Sequence, residues 1–298
     1  MQPIRKPLAG FAIALILTAT TTSAHADQTA KDYRKLVESK NPALVTLKYV
    51  LRISMGGQPQ ERETETTGVM IEPDGLILCA NTPLGGIVDV MARMRGGAGS
   101  MSAKPTDIKI LIGNDTEGVD GVFQARDTEL DLAWIRIKEP GDKKYEFVDL
   151  SKSAAVEIGD PILAVRRLGE HFARKPAIIE GRIAGSTDKP RDLLVPSGDF
   201  SDALGLPLFT VDGSVLGVLV TQFPDTPGSA GGLNSSMQEM MQGMILPVDT
   251  VITATDRAKK QKPIEEEEEA LEDAPDKATE QPSDLEDLED LEDVEEQE

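Results

Sequence analysis

The sequence predicts an all-β protein built from many short strands. Apolar and polar residues alternate in several segments, as they do in a strand with one buried face. Glycine- and proline-containing turns separate these segments, and helical periodicity is confined to a few short stretches. Because the strand candidates follow one another without regular intervening helices, a sandwich or barrel is favoured over alternating β–α units.

The first two elements are a helix and a strand. Residues 28–40 place Tyr33, Leu36 and Val37 on one helical face, which predicts a short amphipathic helix. In Val45–Ile53 the period changes to two, which predicts a strand that buries one face.

Turn signals define the strands that follow. Thr67–Ile71 and Leu76–Cys79 flank Pro73-Asp74-Gly75 and therefore predict a hairpin. Asp212-Gly213 predicts another turn, before a strand at Val215–Val220. The remaining strand candidates are Ile108–Ile112, Leu132–Ile137, Pro161–Val165 and Ile178–Ala184.

Two long segments rich in small residues, Gly85–Lys104 and Pro224–Met244, are expected to be loops. Helical spacing of methionines in the second predicts a short helix that packs on the barrel. These methionines are Met237, Met240, Met241 and Met244. A strand is then predicted at Met244–Val251, and a closing helix at Asp249–Lys260.

The charge of the chain is concentrated at its C-terminal end. The 298 residues contain 31 Lys and Arg against 52 Asp and Glu, a net charge of −21. Residues 265–298 carry −18 of this, and residues 27–264 only −5. No net basic field exists to attract nucleic acid, so a general nucleic-acid binder is excluded. Cys79 is the only cysteine, which excludes an intramolecular disulfide and a cysteine-ligated zinc site.

The segment 261–298 is expected to be a disordered acidic tail, because like charges this dense cannot bury a core. It contains Glu265–Glu269 and three Leu-Glu-Asp triplets between 285 and 293. Two roles remain open for it. It solvates the protein, or it binds a basic partner or, weakly, divalent cations.

The N-terminus has the features of an export signal in residues 1–26. Arg5 and Lys6 precede a short apolar run, Phe11–Ala19, and Ala24-His25-Ala26 supplies a cleavage pattern. The apolar run is about half the ~20 residues that a membrane-spanning helix needs. We therefore expect a mature protein that starts at Asp27, has no membrane span and is periplasmic or secreted.

Five segments, in order, resemble the HtrA-type, trypsin-like serine proteases. Thr67–Leu84 is similar to the hairpin and strand that lead to the catalytic histidine of that family. Ala125–Ala133 is similar to its aspartate segment, and Ser201–Leu208 to its nucleophile loop. Gly159–Val165 and Met244–Asp249 match further strands of the family.

The resemblance covers about 42–252 and implies two six-stranded antiparallel β-barrels with the site between them. The first barrel would span 44–140, after a helix and linker at 27–43. The second would span 141–260 with its closing helix. The peptide-binding PDZ domain that often follows in this family is replaced by the acidic tail.

Transferred residue by residue, the resemblance gives an incomplete catalytic triad. The histidine position falls on Thr82, the aspartate on Asp131 and the serine on Leu204, while the oxyanion-hole glycine falls on Asp202. A threonine hydroxyl cannot serve as a base near neutral pH, and leucine has no nucleophilic atom. An aspartate would repel the developing oxyanion. We further expect the Thr82 hydroxyl and backbone amides to bind Asp131, and Leu204 to fill the vacated space.

Substitute catalytic groups are few. His171 is the one histidine that remains after signal cleavage, and it lies away from the inferred site. Ser201 is three residues before the nucleophile position, and Cys79 lies in an apolar strand where a buried, inert thiol is expected. No cofactor or metal site is indicated.

The sequence therefore favours an exported, catalytically inactive relative of HtrA-type proteases that binds a protein or peptide. Two alternatives stay open. One is a serine-type endopeptidase with a rearranged site that uses Ser201 or Cys79. The other is a protein whose acidic tail, by binding cations or a basic protein, is itself the function.

Overall fold

Two closed, antiparallel, six-stranded β-barrels make up the fold. They are seen in a computed structural model that describes residues 28–55, 58–94, 101–222 and 243–264. This confirms the all-β class and the two-barrel architecture. Three predicted segments lie outside the described residues. They are the signal peptide at 1–26, most of Pro224–Met244 with its predicted short helix, and the acidic tail after Ile264. None of the described helices has the length and apolarity needed to cross a membrane.

The first barrel contains strands β1 to β6 in the order β1-β2-β3-β6-β5-β4, closed by pairing of β4 with β1. Their bounds are β1 Leu44–Met55, β2 Gln58–Met70, β3 Leu76–Ala80, β4 Met101–Ile112, β5 Val119–Asp127 and β6 Leu132–Ile137. Helix α1 (28–40) precedes the barrel, and its Leu36 is buried in the core as the helical pattern predicts.

One sequence-based expectation for this barrel is wrong. Gly85–Lys104, expected to be a loop, contains helix α2 (Gly86–Met94) and the first residues of β4. Val88 and Val90 are buried, and α2 packs against β4. With nine residues, α2 is too short for its period to stand out, and packing on the sheet stabilises it more than propensity does.

The second barrel contains β7 to β12 in the order β10-β11-β12-β9-β8-β7, closed by pairing of β7 with β10. Their bounds are β7 Pro161–Arg167, β8 Pro176–Thr187, β9 Leu193–Ser197, β10 Pro207–Phe209, β11 Val215–Thr221 and β12 Gly243–Pro247. The strand predicted at Met244–Val251 ends at Pro247, because helix α3 (Val248–Ala258) begins at the next residue.

Helix α3 follows the second barrel in sequence and packs on both barrels, against β11 and β12 of the second and β5 of the first. The indole nitrogen of Trp134, in β6, donates to the hydroxyl of Thr255 over 3.1 Å. Beyond the helix, the amide of Ile264 donates to the carbonyl of Phe123 in β5 over 2.7 Å. These contacts join the C-terminal end of the described chain to the first barrel and fix the position of one barrel against the other.

Candidate functional site

Asp131 lies at the centre of the candidate site, in the turn between β5 and β6. Its backbone is left-handed, with φ 55°, a conformation that aspartate tolerates better than most residues. The turn is stabilised by the Asp127 carboxylate, which accepts a hydrogen bond from the amide of Leu130 over 3.1 Å. As a result the side chain of Asp131 points into the protein, and the residue is only 1% exposed.

Three donors bind the buried carboxylate of Asp131. The amide and hydroxyl of Thr82 donate to Oδ1 over 2.7 and 2.8 Å. The amide of Thr221 donates to Oδ2 over 2.9 Å. The expectation that the Thr82 hydroxyl and backbone amides bind Asp131 is therefore confirmed. Thr221 was not foreseen, and nothing in its sequence context distinguishes it from other strand-end threonines.

These hydrogen bonds join the two barrels through one side chain. Thr82 begins the 3-10 helix Thr82–Leu84 just after β3 of the first barrel, whereas Thr221 ends β11 of the second. Burial raises the pKa of Asp131, and the bonds from Thr221 and Thr82 partly oppose that effect. Among the described residues, the groups that bind this carboxylate are uncharged, so the arrangement differs from that of an ion pair.

The loop at the inferred nucleophile position is more exposed. It contains the 3-10 helix Ser201–Ala203, and Leu204 follows as a half-buried residue. Asp202 pairs with Arg166 of β7 over 2.9 Å, and its side chain is 62% exposed. The contact between Asp202 and Arg166 was not predicted, because the sequence around an arginine near a strand end does not indicate which carboxylate it will pair with.

Gly205 brings this loop against the first barrel. Its φ is 79°, and its amide donates to the carbonyl of Leu219 over 2.7 Å. A Cβ atom at this position would lie 2.1 Å from the backbone nitrogen of Ala80. Since Ala80 is two residues before Thr82 and Leu204 precedes Gly205, the two inferred catalytic loops meet here. This close approach is open only to glycine.

Ser201 does not have the surroundings of an activated nucleophile. It is exposed, and its hydroxyl donates to Asp199 over 2.7 Å while its amide binds the same oxygen over 3.1 Å. These bonds hold the pKa of Asp199 below its usual range, which makes this carboxylate a weaker base. The arrangement is that of a local turn.

Cys79 is also placed unfavourably for catalysis. The residue is fully buried in β3, and its thiol lies 3.7 Å from the carbonyl of Ala133. Burial, and to a smaller extent the charge of Asp131, raise the pKa of the thiol. A neutral thiol without access to solvent is a poor nucleophile.

His171 lies in the 3-10 helix Glu170–Phe172 between β7 and β8. It is exposed, and its ring stands edge-on to Phe172 with 5.2 Å between centroids. The structure does not bring it to Asp131, whose carboxylate is bound by threonines. Within the described ranges, no group of three or more His, Cys, Asp and Glu residues could hold a metal ion.

Comparison with known proteins agrees with this fold. Residues 66–218 match the family described as "Trypsin-like peptidase domain". The chain is similar to a solved HtrA-type protease, AlgW with a tripeptide, at 17% identity and a TM-score of 0.51, over 76% of this chain and 64% of that one. It is similar to Deg5 at 17% identity and a TM-score of 0.50, over 75% and 92% of the two chains. No curated protein matches.

At 17% identity the solved structures show the fold alone, and the chain spans 64% of the length of the AlgW chain. The family match, in contrast, covers half of the sequence. The chain belongs to the trypsin-like peptidase family.

Proposed function

We propose that this member of the trypsin-like peptidase family is an exported protein that binds a polypeptide between its barrels without hydrolysing it. The observation that carries the proposal is the hydrogen bond from the Thr82 hydroxyl to Asp131. In a working triad that carboxylate binds the imidazole of the general base. Here the threonine occupies the carboxylate, and a hydroxyl accepts no proton near neutral pH.

The nucleophile loop supports the same function. Leu204 has no nucleophilic atom, and Asp202 brings negative charge to the side where an oxyanion would develop. Loss of either the nucleophile or the base alone costs about a millionfold in kcat in a serine protease. Ser201 and Cys79 offer no replacement, since one is held in a local turn and the other is buried.

Export rests on the N-terminal sequence. Arg5, Lys6 and the apolar run Phe11–Ala19 precede the cleavage pattern that ends at Ala26. Expression of the full chain in a bacterial host, followed by fractionation and mass spectrometry, tests this part. The expected product is periplasmic or extracellular and begins at Asp27, whereas an uncleaved cytoplasmic product would contradict it.

Hydrolysis is tested with a fluorophosphonate probe and fluorescein-labelled casein. We expect neither covalent labelling nor casein fragments from the purified protein, under conditions in which trypsin gives both. Labelling or cleavage that disappears in Ser201→Ala or Cys79→Ala would overturn the proposal in favour of a rearranged peptidase.

Binding is tested with the same casein by fluorescence anisotropy. We expect a saturable rise in anisotropy that Leu204→Lys weakens, because Leu204 lies in the loop that faces the first barrel. Ile158→Lys is the matched control, since Ile158 is 70% exposed in the segment before β7. No rise, or equal affinity in both variants, would contradict binding between the barrels.

A further inference from the structure

A cavity of about 550 Å³ lies away from the inferred site, beside the last turn of α1. We call it the α1 cavity. One side is lined by helix α1, through Leu36, Ser39 and Lys40. A second side is the turn between β10 and β11 at Gly213, and the third is Lys152. It is bordered by three separate elements of the chain.

Lys40 is the central residue of the α1 cavity. It is half-buried, and its ammonium nitrogen lies 4.9 Å from the centroid of the Phe209 ring. Its side chain crosses the β10–β11 turn, where a Cβ on Gly213 would lie 3.9 Å from Nζ. Within the described part of the chain, no carboxylate lies within 4.0 Å of this ammonium group. The aromatic face provides only part of the stabilisation that a buried cation needs.

The positive charge at Lys40 is incompletely balanced by its surroundings. Burial lowers the pKa of Lys40, and the charge of Lys152 lowers it further. Asp149 and Asp212 act in the opposite direction but are lesser causes. A half-buried ammonium group with a second ammonium group on the same cavity is a favourable place for an anion, which would interact with both at once.

The nearby carboxylates are already engaged. Asp212 accepts hydrogen bonds from the hydroxyls of Thr210 and, over 3.0 Å, Ser214. Asp149 accepts from the Ser151 hydroxyl over 2.6 Å and lies 3.7 Å from the Lys152 ammonium group.

Asp32 and Lys35 also line the cavity and contribute one charge of each sign. The Lys152 side chain is 76% exposed, so its ammonium group can turn toward a ligand in the cavity.

We propose that the α1 cavity binds an oxyanion, a phosphate or carboxylate group held between the ammonium groups of Lys40 and Lys152. The ammonium groups donate hydrogen bonds to the anion, and the apolar side chains of Leu36 and Val211 in the cavity wall reduce competition from water. The site is independent of the polypeptide-binding role proposed above. The ligand with the required chemistry is a free anion such as inorganic phosphate.

The test is a titration of the full mature protein with inorganic phosphate at constant ionic strength, in which binding is measured by NMR or calorimetry. We expect saturable millimolar binding that Lys40→Met and Lys152→Met each weaken about tenfold, since each removes a charge-assisted hydrogen bond. Lys104→Met, an exposed lysine on β4 outside the cavity, is the matched control and leaves the affinity unchanged.

Phosphate affinity equal in wild type and Lys40→Met would overturn the proposal. So would the absence of saturable phosphate binding by the wild type.

Discussion

Asp131 and Asp202 both lie where the resemblance places catalytic groups, yet their environments are opposite. Asp131 is 1% exposed and accepts three hydrogen bonds that connect the two barrels. The Asp202 side chain is 62% exposed and pairs with Arg166 of its own barrel. The comparison indicates that the Asp131 half of the site supports the fold, whereas the loop around Asp202 tolerates change. If the proposed loss of hydrolysis holds, the Asp131 half of the site is retained for stability.

The largest expected effect on stability comes from Gly205, where the exposed loop around Asp202 meets the half of the site that contains Asp131. Gly205→Ala forces a Cβ to within 2.1 Å of backbone and keeps a left-handed φ, so we expect a loss of about 4 kcal/mol of unfolding free energy. Gly213→Ala is the control, because its φ is similar and its Cβ meets only side chains, 3.5 Å or more away. Urea denaturation measures both. Equal losses would show that backbone conformation alone, and not contact between the barrels, sets the effect.

Asp131→Ala tests the buried half directly. It leaves two amides and one hydroxyl without their acceptor, and we expect a loss of about 3 kcal/mol. Thr82→Val removes only the hydroxyl donor and should cost about 1 kcal/mol. Chemical denaturation provides the measurement. A loss for Asp131→Ala no larger than that for Thr82→Val would contradict the role of Asp131 in joining the barrels.

The pH dependence of stability distinguishes the two aspartates further. Burial raises the pKa of Asp131 in the folded protein, so the folded state holds its proton more tightly than the unfolded state. The stability that this proton contributes is present below the ordinary pKa and is lost as pH rises through the folded pKa. We expect the unfolding free energy of wild type relative to Asp131→Asn to fall as the pH rises above about 4, the ordinary pKa of an aspartate. A rise instead would mean that the hydrogen bonds outweigh burial.

The smallest effect is expected at Asp202. Its ion pair with Arg166 is exposed to solvent and screened, so Asp202→Ala should change the unfolding free energy by less than about 0.5 kcal/mol. The measurement is the same denaturation series, repeated at low and high salt. A loss of unfolding free energy comparable to that of Asp131→Ala would show that both halves of the site contribute equally to stability.

Some contacts of this site could be predicted from the sequence, and others could not. The Thr82–Asp131 contact was predicted because the two segments keep a family order that brings the strand ends together. The Thr221 amide was missed, since it comes from a strand end 90 residues away and backbone donors carry no side-chain signal. Strands β9 and β10 and helix α2 were also missed, because they are short and their burial comes from neighbouring elements. The nine-residue strand β5 was missed because its residues do not alternate regularly, and a register shift falls between Phe123 and Ala125.

Alternation and turn residues are local properties that each strand carries, so the all-β class could be predicted from them, whereas the two-barrel architecture followed from the resemblance to HtrA-type proteases. The sequence by itself also determined which atoms are available for chemistry at Thr82, Asp131 and Leu204. The burial of Cys79 was expected from its apolar strand, but the close approach of Gly205 to Ala80 and the position of Lys40 and Lys152 around one cavity are seen only in the folded protein. Such proximity depends on elements distant in the chain, so residue types alone cannot specify it.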